Sequence, residues 1–328
     1  DEASDGAIPV RVLLEPADRI EYTVGAGYST DSGPRGRAGF HNRRLNQKGH
    51  RFKSDINLSS VLQGLTAEHR RPMADPRSEW LSYTAALTHE DADTFDSETA
   101  RVGFRRTKRV STNWMRTLSV DLSYDQFDVG VESERTRLAL PAIAFDHKRA
   151  DRDIFPTRGR RLTFELRGAS DYLGSDTSFL QATVSGRLVR SISTDARIIA
   201  RATVGITAKS EFNELPPSVR FFAGGDESVR GFGYNTLGPE DELGNVVGGS
   251  NLLIASIEYE RWLRGNFYGM VFVDAGNAFD DVDVDAAAGA GLGLRWQSPV
   301  GPLRFYLAHP LNKSDRSVRL HIRLGADL

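Results

Sequence analysis

From about residue 20 onward, apolar and polar side chains alternate with a period of two, in segments of roughly ten residues. Leu118, Val120, Leu122 and Tyr124 take one face, and Thr117, Ser119, Asp121 and Ser123 the other. Leu162, Phe164 and Leu166 alternate with Arg161, Thr163, Glu165 and Arg167. Leu180, Ala182, Val184 and Leu188 oppose Gln181, Thr183, Ser185 and Arg187. Near the end, Val318, Leu320, Ile322 and Leu324 alternate with Arg319, His321 and Arg323. This is the period of half-buried strands, and no comparable helical stripe interrupts it. Counting segments and turns predicts about sixteen strands, at roughly 18–20 residues per strand with its loop; an even number suits a closed antiparallel barrel. Turns are expected at Asn46–Gly49, Ala74–Arg77, Leu263–Asn266 and Ser298–Pro302. If the first strand starts near Glu21, the opposite connections include Glu90–Ser97, Gln126–Glu134, Lys209–Gly249 and Asp280–Asp285. Longer loops at that end and tight turns at the other is the asymmetry of a membrane barrel.

A soluble β-sandwich, or two in tandem, would show the same alternation. The arginines argue against them: Arg161, Arg167, Arg187, Arg197, Arg201, Arg295, Arg304, Arg319 and Arg323 keep returning on one face. A wet lumen carries such charge cheaply, whereas a sandwich buries one face of each sheet. Mean hydropathy is low at −0.39, and no run approaches the ~18–20 apolar residues of a spanning helix. A barrel strand offers only one face to lipid, so the low mean is what a barrel predicts. The net charge of −2 over 328 residues suggests no nucleic-acid partner, and the absence of cysteine excludes thiolate chemistry and disulfides. Residues 1–19 differ in kind. Ile8 to Pro16 reads as one strand bounded by prolines, expected to be the end of a truncated amino-terminal domain and its linker, with the barrel over residues 20–328.

The connection from Lys209 to Gly249 is long for a segment without regular structure. It carries Phe212, Phe221, Phe222, Phe232 and Tyr234 among Gly224, Gly225, Gly231 and Gly233, which suits tight turns packed inside a protein. The other reading makes these aromatics a surface receptor patch. If the loop folds inward, Arg230 enters the lumen and needs carboxylate partners. Parity supplies them. Leu253, Ala255, Ile257 and Tyr259 facing lipid put Ser256, Glu258 and Glu260 inside, and Val271 and Val273 outside put Phe272 and Asp274 inside. Phe272 offers a ring face on which the guanidinium can stack.

Val229-Arg230-Gly231-Phe232, paired with Phe272-Val273-Asp274-Ala275-Gly276, resembles the two-part motif of the bacterial surface antigen superfamily, the barrels that put proteins into or across outer membranes. The resemblance spans nearly the whole chain. It implies that the loop arginine locks onto Phe272 and Asp274, with Glu258 as a third member. Asp151 to Gly159 and Arg295 to Arg304 also resemble family motifs. Val273 to Phe279 and the compact outer loops are most similar to the outer-membrane subunits of translocation and assembly modules. The start, Pro9-Val10 to Glu21-Tyr22, resembles their junction between the last polypeptide-transport-associated domain and the barrel. Two positions depart from the pattern: Tyr306 stands where the superfamily often has Asp, and the sequence ends on Leu328 rather than an aromatic.

The resemblance implies an insertase in the outer membrane of a Gram-negative bacterium. Its clients would be unfolded outer-membrane proteins such as autotransporters, and an inner-membrane-anchored partner of the TamB type would bind through the periplasmic domains. The expected working region is the seam between the first strand, with Tyr22, Val24, Gly25 and Gly27, and the last, with Leu320, Ile322, Gly325 and Leu328. Glycine within a strand loosens it. The other reading of these glycines is relief of curvature, since Gly289, Gly291 and Gly293 lie away from the seam. The alternative function is a secretion pore of the same superfamily passing one client through its lumen. No Gly-x-Ser-x-Gly elbow is present. His41, His50, His69, His89, His147, His309 and His321 are scattered, and Asp280, Asp281, Asp283 and Asp285 lack the pattern of a calcium loop, so neither catalysis nor a metal or cofactor is expected.

Overall fold

Alternating side chains become a wall when each strand pairs with its sequence neighbours, and that is how this chain folds. The computed structural model describes residues 18–29, 33–152, 155–209, 212–280, 284–299, 301–312 and 318–324. They form sixteen antiparallel strands, β1 (Ile20–Ser29) to β16 (Arg319–Leu324), arranged in chain order around one barrel. Of the expected end of an amino-terminal domain, residues 1–19, all but the last two residues lie outside the described residues, as do Gly325 and Leu328.

The apolar face points outward. Leu122, Leu180, Leu253, Ile257, Val271 and Val273 are all exposed, while Asp125, Gln181, Glu260 and Asp274 on the other face are almost fully buried. That inversion is the signature of a barrel solvated by lipid outside and filled by polar groups and protein inside. All four tryptophans, Trp80, Trp114, Trp262 and Trp296, lie at the end where β1 begins, here called the base. Trp296 stacks there on Phe267, with ring centroids 6.2 Å apart, as in an interfacial aromatic girdle.

The wall is uneven in height. β5 (Glu79–Ala92), β6 (Phe95–Ser111), β7 (Trp114–Val129) and β8 (Glu132–Ala150) run 14, 17, 16 and 19 residues, against 10, 10 and 8 for β1, β2 (Gly33–Asn42) and β3 (Arg51–Leu58). The segments expected to be loops at Glu90–Ser97 and Gln126–Glu134 are therefore strand. Asp91 pairs with Asp96 and Phe127 with Glu134, so two-residue turns join tall hairpins at the end opposite the base, the mouth. Polar alternation continues past the membrane there, and pairing satisfies more backbone groups than an open loop does.

The long connection between β11 (Ala196–Lys209) and β12 (Asn251–Arg264) turns into the lumen and fills the mouth. Leu215 and Val219 pack on Leu138, Leu140, Ala169 and Phe179 of β8 to β10. Phe222, Tyr234 and Val247 pack on Ala92, Phe95, Phe127 and Val129 of the tall hairpins. Ala223, Val229, Phe232 and Leu237 pack on Leu252, Ile254, Ala278 and Ala287 of β12 to β14. Among the described residues the hydrophobic interior is thus mostly loop against inner wall, with Met270, Phe272, Tyr306 and Ala308 packing within the wall itself. Arg220 ties the loop to itself and to the rim: it donates to the carbonyls of Leu215 at 2.6 Å and Val247 at 3.1 Å and to Glu132 at 2.8 Å.

Candidate functional site

The loop tip is shaped by its glycines. At Gly231, φ is +100°, and a Cβ would approach the backbone of His309 and Pro310 at 3.0 Å, so only glycine lets the chain reverse this close to the wall. The reversal aims Arg230 at β12 and β13 (Phe267–Phe279). Its Nε donates to Asp274 Oδ2 at 2.6 Å and its NH2 to Asp274 Oδ1 at 2.8 Å, a bidentate pair. NH1 donates to Glu258 at 2.9 Å and NH2 to Ser256 at 3.3 Å. The Arg230 backbone N–H also donates to Asp274, at 3.1 Å, fixing main chain as well as side chain. Arg230 is 3% exposed, Asp274 0% and Glu258 6%, so the charges answer one another with little help from water. Burial pushes the Arg230 pKa down, but the bonds to Asp274 and the charges of Asp274 and Glu258 outweigh it and hold the guanidinium above its ordinary value.

Two rings complete the cage. The guanidinium carbon lies 3.5 Å from the centroid of Phe272 and 4.5 Å from that of Tyr306 on β15 (Gly301–Pro310), and the rings meet edge to face at 5.5 Å. The Tyr306 hydroxyl donates to Glu258 at 3.4 Å. The position that departs from the family pattern in sequence is therefore a member of the cluster here. Its inward parity, shared with Arg304, was the signal available in the sequence.

The wall has no room for a side chain at four glycines, and at Gly289 the space is taken by the loop. In β14 (Ala287–Ser298), a Cβ on Gly289 would lie 2.0 Å from the Arg230 carbonyl oxygen. One on Gly291 would lie 2.6 Å from the Phe272 ring, and one on Gly293 2.7 Å from Met270. At Gly276 a Cβ would meet the Leu253 carbonyl at 2.2 Å. Val229 and Phe232 flank Arg230 and are buried in the apolar cluster against β12 to β14. All eight loop and wall positions singled out in the sequence (Val229, Arg230, Gly231, Phe232, Glu258, Phe272, Asp274 and Gly276) thus lie in or beside one contact region.

A second buried cluster lies two residues further along β12, towards the base. Arg197 Nε donates to Glu260 at 2.6 Å, and Arg295 NH2 approaches the same carboxylate at 3.0 Å. Phe155, from the base turn between β8 and β9 (Arg158–Ala169), lies under both guanidiniums, at 3.9 Å and 4.0 Å, and Arg197 donates to the Pro156 carbonyl at 2.7 Å. Sequence parity placed Glu260 inside but gave no reason to join it to residues as distant as Phe155 and Arg295.

The seam residues behave differently. Ser29 and His321 are the one paired position between β1 and β16 among the described residues. Tyr22 and Val24 are 74% and 90% exposed. A Cβ on Gly25 would first meet Arg37 at 3.9 Å, and one on Gly27 would meet nothing within 4 Å. β16 runs six residues and pairs with β15 through Leu320 and Ile322, among others.

Comparison with known proteins agrees with this geometry. The Omp85 superfamily domain matches residues 21–327. The chain is 26% identical over 204 residues to the outer membrane protein assembly factor BamA of Nitratidesulfovibrio vulgaris, a match covering 59% of this chain and 26% of that protein. It spans only about a quarter of that relative's length, then. The structure of BamA from Haemophilus ducreyi lacking POTRA domains 1-3 superposes with a TM-score of 0.81 at 18% identity, over 94% of this chain and 70% of that one. CdiB from Escherichia coli superposes at 0.66 with 14% identity, over 95% of this chain and 63% of that one.

Proposed function

This chain belongs to the Omp85 superfamily, and from that membership we propose that its barrel is an insertase, assisting other outer-membrane proteins to fold into the bilayer at the seam between β1 and β16. The barrel sits in the outer membrane of a Gram-negative bacterium. The observation that carries the proposal is that, among the described residues, a single paired position joins β1 to β16, against thirteen between β12 and β13. In lipid, unpaired backbone N–H and C=O groups are costly, so an edge left open there seeks a partner strand. A client strand adding to the β1 edge satisfies those groups and is templated as it does so.

In this reading Arg230, with Glu258, Phe272 and Asp274, is the lock that keeps the loop docked, and Tyr22 to Gly27 with Leu320 and Ile322 form the working edge. Gly325 and Leu328 would extend it. The finer assignment we favour is a TamA-like subunit of a translocation and assembly module. Residues 1–19 would end a polypeptide-transport-associated domain, a TamB-like partner would be reached through the upstream domains, and autotransporters would be among the clients. The Val273 to Phe279 segment and the compact mouth loops support it.

The absence of cysteine makes the test clean. Tyr28→Cys and Ile322→Cys, which face each other in the register set by Ser29 and His321, are introduced together, the barrel is reconstituted in liposomes, and folding of a denatured client barrel is followed with the pair reduced or oxidised. Acceleration that disappears on oxidation supports the insertase seam. Acceleration that survives oxidation overturns the seam as the working region. Ion conductance without acceleration favours the secretion pore.

A further inference from the structure

The lock leaves two charges at the loop tip unused. Asp226 and Glu227 precede it, and they reach away from β12 and β13 towards the other side of the lumen. Asp226 Oδ2 accepts from Arg35 NH2 on β2 at 3.2 Å. Glu227 forms an ion pair with Arg323 on β16 and lies 3.8 Å from both Arg187 and Arg201. The two acids therefore grip opposite sides of the seam. β2 is paired to β1 at ten positions, so Arg35 moves with β1, and Arg323 is part of β16 itself.

The backbone at the tip is held independently of those side chains. Arg201 on β11 donates to the carbonyls of Asp226 at 3.5 Å, Glu227 at 3.2 Å and Ser228 at 3.3 Å, and Arg230 fixes the next turn to the wall. A rigid base thus carries two short acidic arms. A cleft of about 750 Å³ runs along β1 to β3 to these arms and to Ile322 and Arg323, so the lumen beside the seam is open apart from them.

We propose that Asp226 and Glu227 form an ionic brace across the seam, holding β1–β2 and β16 together from the lumen side, where one backbone pair joins them among the described residues. The side chain of Glu227 is 63% exposed and that of Arg323 22%, so this arm is screened and weak. Weakness suits a joint that opens and recloses. Asp226 is the more buried arm, its side chain 11% exposed. Spreading the seam must break one arm, and withdrawing the loop releases both, so loop position and seam width are one coordinate. The brace gives the insertase reading a closed state, and it rests on that reading only for its purpose, not for its geometry. The competing account is general neutralisation of lumen arginines, which would not depend on which acid faces which base.

The test measures the seam directly. Val24→Cys and Ile322→Cys carry spin labels on strand faces away from Arg323, and distance distributions are recorded for the barrel in liposomes. In the parent the distribution is expected to be narrow. With Asp226→Asn and Glu227→Gln together, the open population should rise about five-fold, the change that follows from losing about 1 kcal/mol of ion pairing. Raised ionic strength should shift the parent the same way. Arg35→Asp alone should widen the seam, and Arg35→Asp with Asp226→Arg should narrow it again. Both are compared only where heat-modifiable mobility shows a folded barrel. Identical distributions for the parent and the Asp226→Asn, Glu227→Gln variant overturn the brace, as does failure of the charge reversal to restore the parent distribution. A brace verified in this way, alongside client folding indifferent to seam oxidation, would refute the seam as the insertase's working region and leave the brace standing.

Discussion

Two arcs of the same barrel are built on opposite principles. From β11 to β15 the wall is dense. β12 and β13 pair at thirteen positions, Asp274 is fully buried, and the loop's arginine fills the space between four strands. At the seam, β1 and β16 share one paired position among the described residues, and Val24 is 90% exposed. Glycine occurs in both arcs for opposite reasons. In β14 a Cβ has no room, because the loop's backbone lies against Gly289 and the Phe272 ring against Gly291. At Gly25 and Gly27 there is room to spare. One arc uses glycine to bring parts together, and in the other glycine fills no contact. The strength of the fold is concentrated where the loop docks, which leaves the seam free to be weak.

The largest effect should come from breaking the dense arc at its centre. Arg230→Ala takes the bidentate partner from Asp274, leaving it Arg201 at 3.6 Å, and leaves Glu258 with the Tyr306 hydroxyl at 3.4 Å; loss of one partner from such a buried group costs up to about 3–5 kcal/mol. A lower unfolding midpoint in detergent and rapid proteolysis within residues 212–250 are expected; an unchanged midpoint and cleavage pattern would refute the lock. Gly289→Val should follow, at about 1–3 kcal/mol, because the new side chain occupies the place of the Arg230 carbonyl. Its cost should not add to that of Arg230→Ala, since both undo one docking event, and an additive double variant would show two separate events.

Phe155→Ala sharpens the comparison within the dense arc. It removes the ring beneath Arg197 and Arg295, at an expected cost of about 1–2 kcal/mol, while the loop at the mouth stays protease-resistant. Loss of that resistance would join the base cluster to the lock. The smallest effect is expected at the seam itself. Gly27→Ala meets open space and should change the unfolding midpoint by no more than about 0.5 kcal/mol in equivalent stability. A larger change would mean that β1 is under a constraint that the open seam does not suggest.

The strand count, the outward apolar face and the carboxylates of the lock were legible in the sequence because each depends on a period of two and on nearest-neighbour pairing. Glu258 and Asp274 needed only parity along two consecutive strands. Less was legible where partners come from far apart. Phe155 meets Arg197 and Arg295 across 42 and 140 residues of sequence, which no local pattern encodes. The reach of Asp226 and Glu227 depends on which way a loop turns after its glycines, and that is decided by packing. The tall hairpins were misread as loops because their polar ends lie above the membrane, where alternation carries less contrast.

The order of the strands has a consequence for how the chain reaches this state. Every strand lies beside its neighbours in sequence, so most of the barrel wall is made of hairpins that close short stretches of chain. Contacts of that kind form early, since they cost little loop-closure entropy. Two events remain that join distant residues: meeting of the first and last strands, and docking of the long loop against the finished wall. Among the described residues a single backbone pair secures the first, whereas the second joins the loop to strands all round the mouth. The loop can dock on its glycine-lined wall only after β12 to β15 are in register, which makes its docking a built-in report that the carboxy-terminal half has folded.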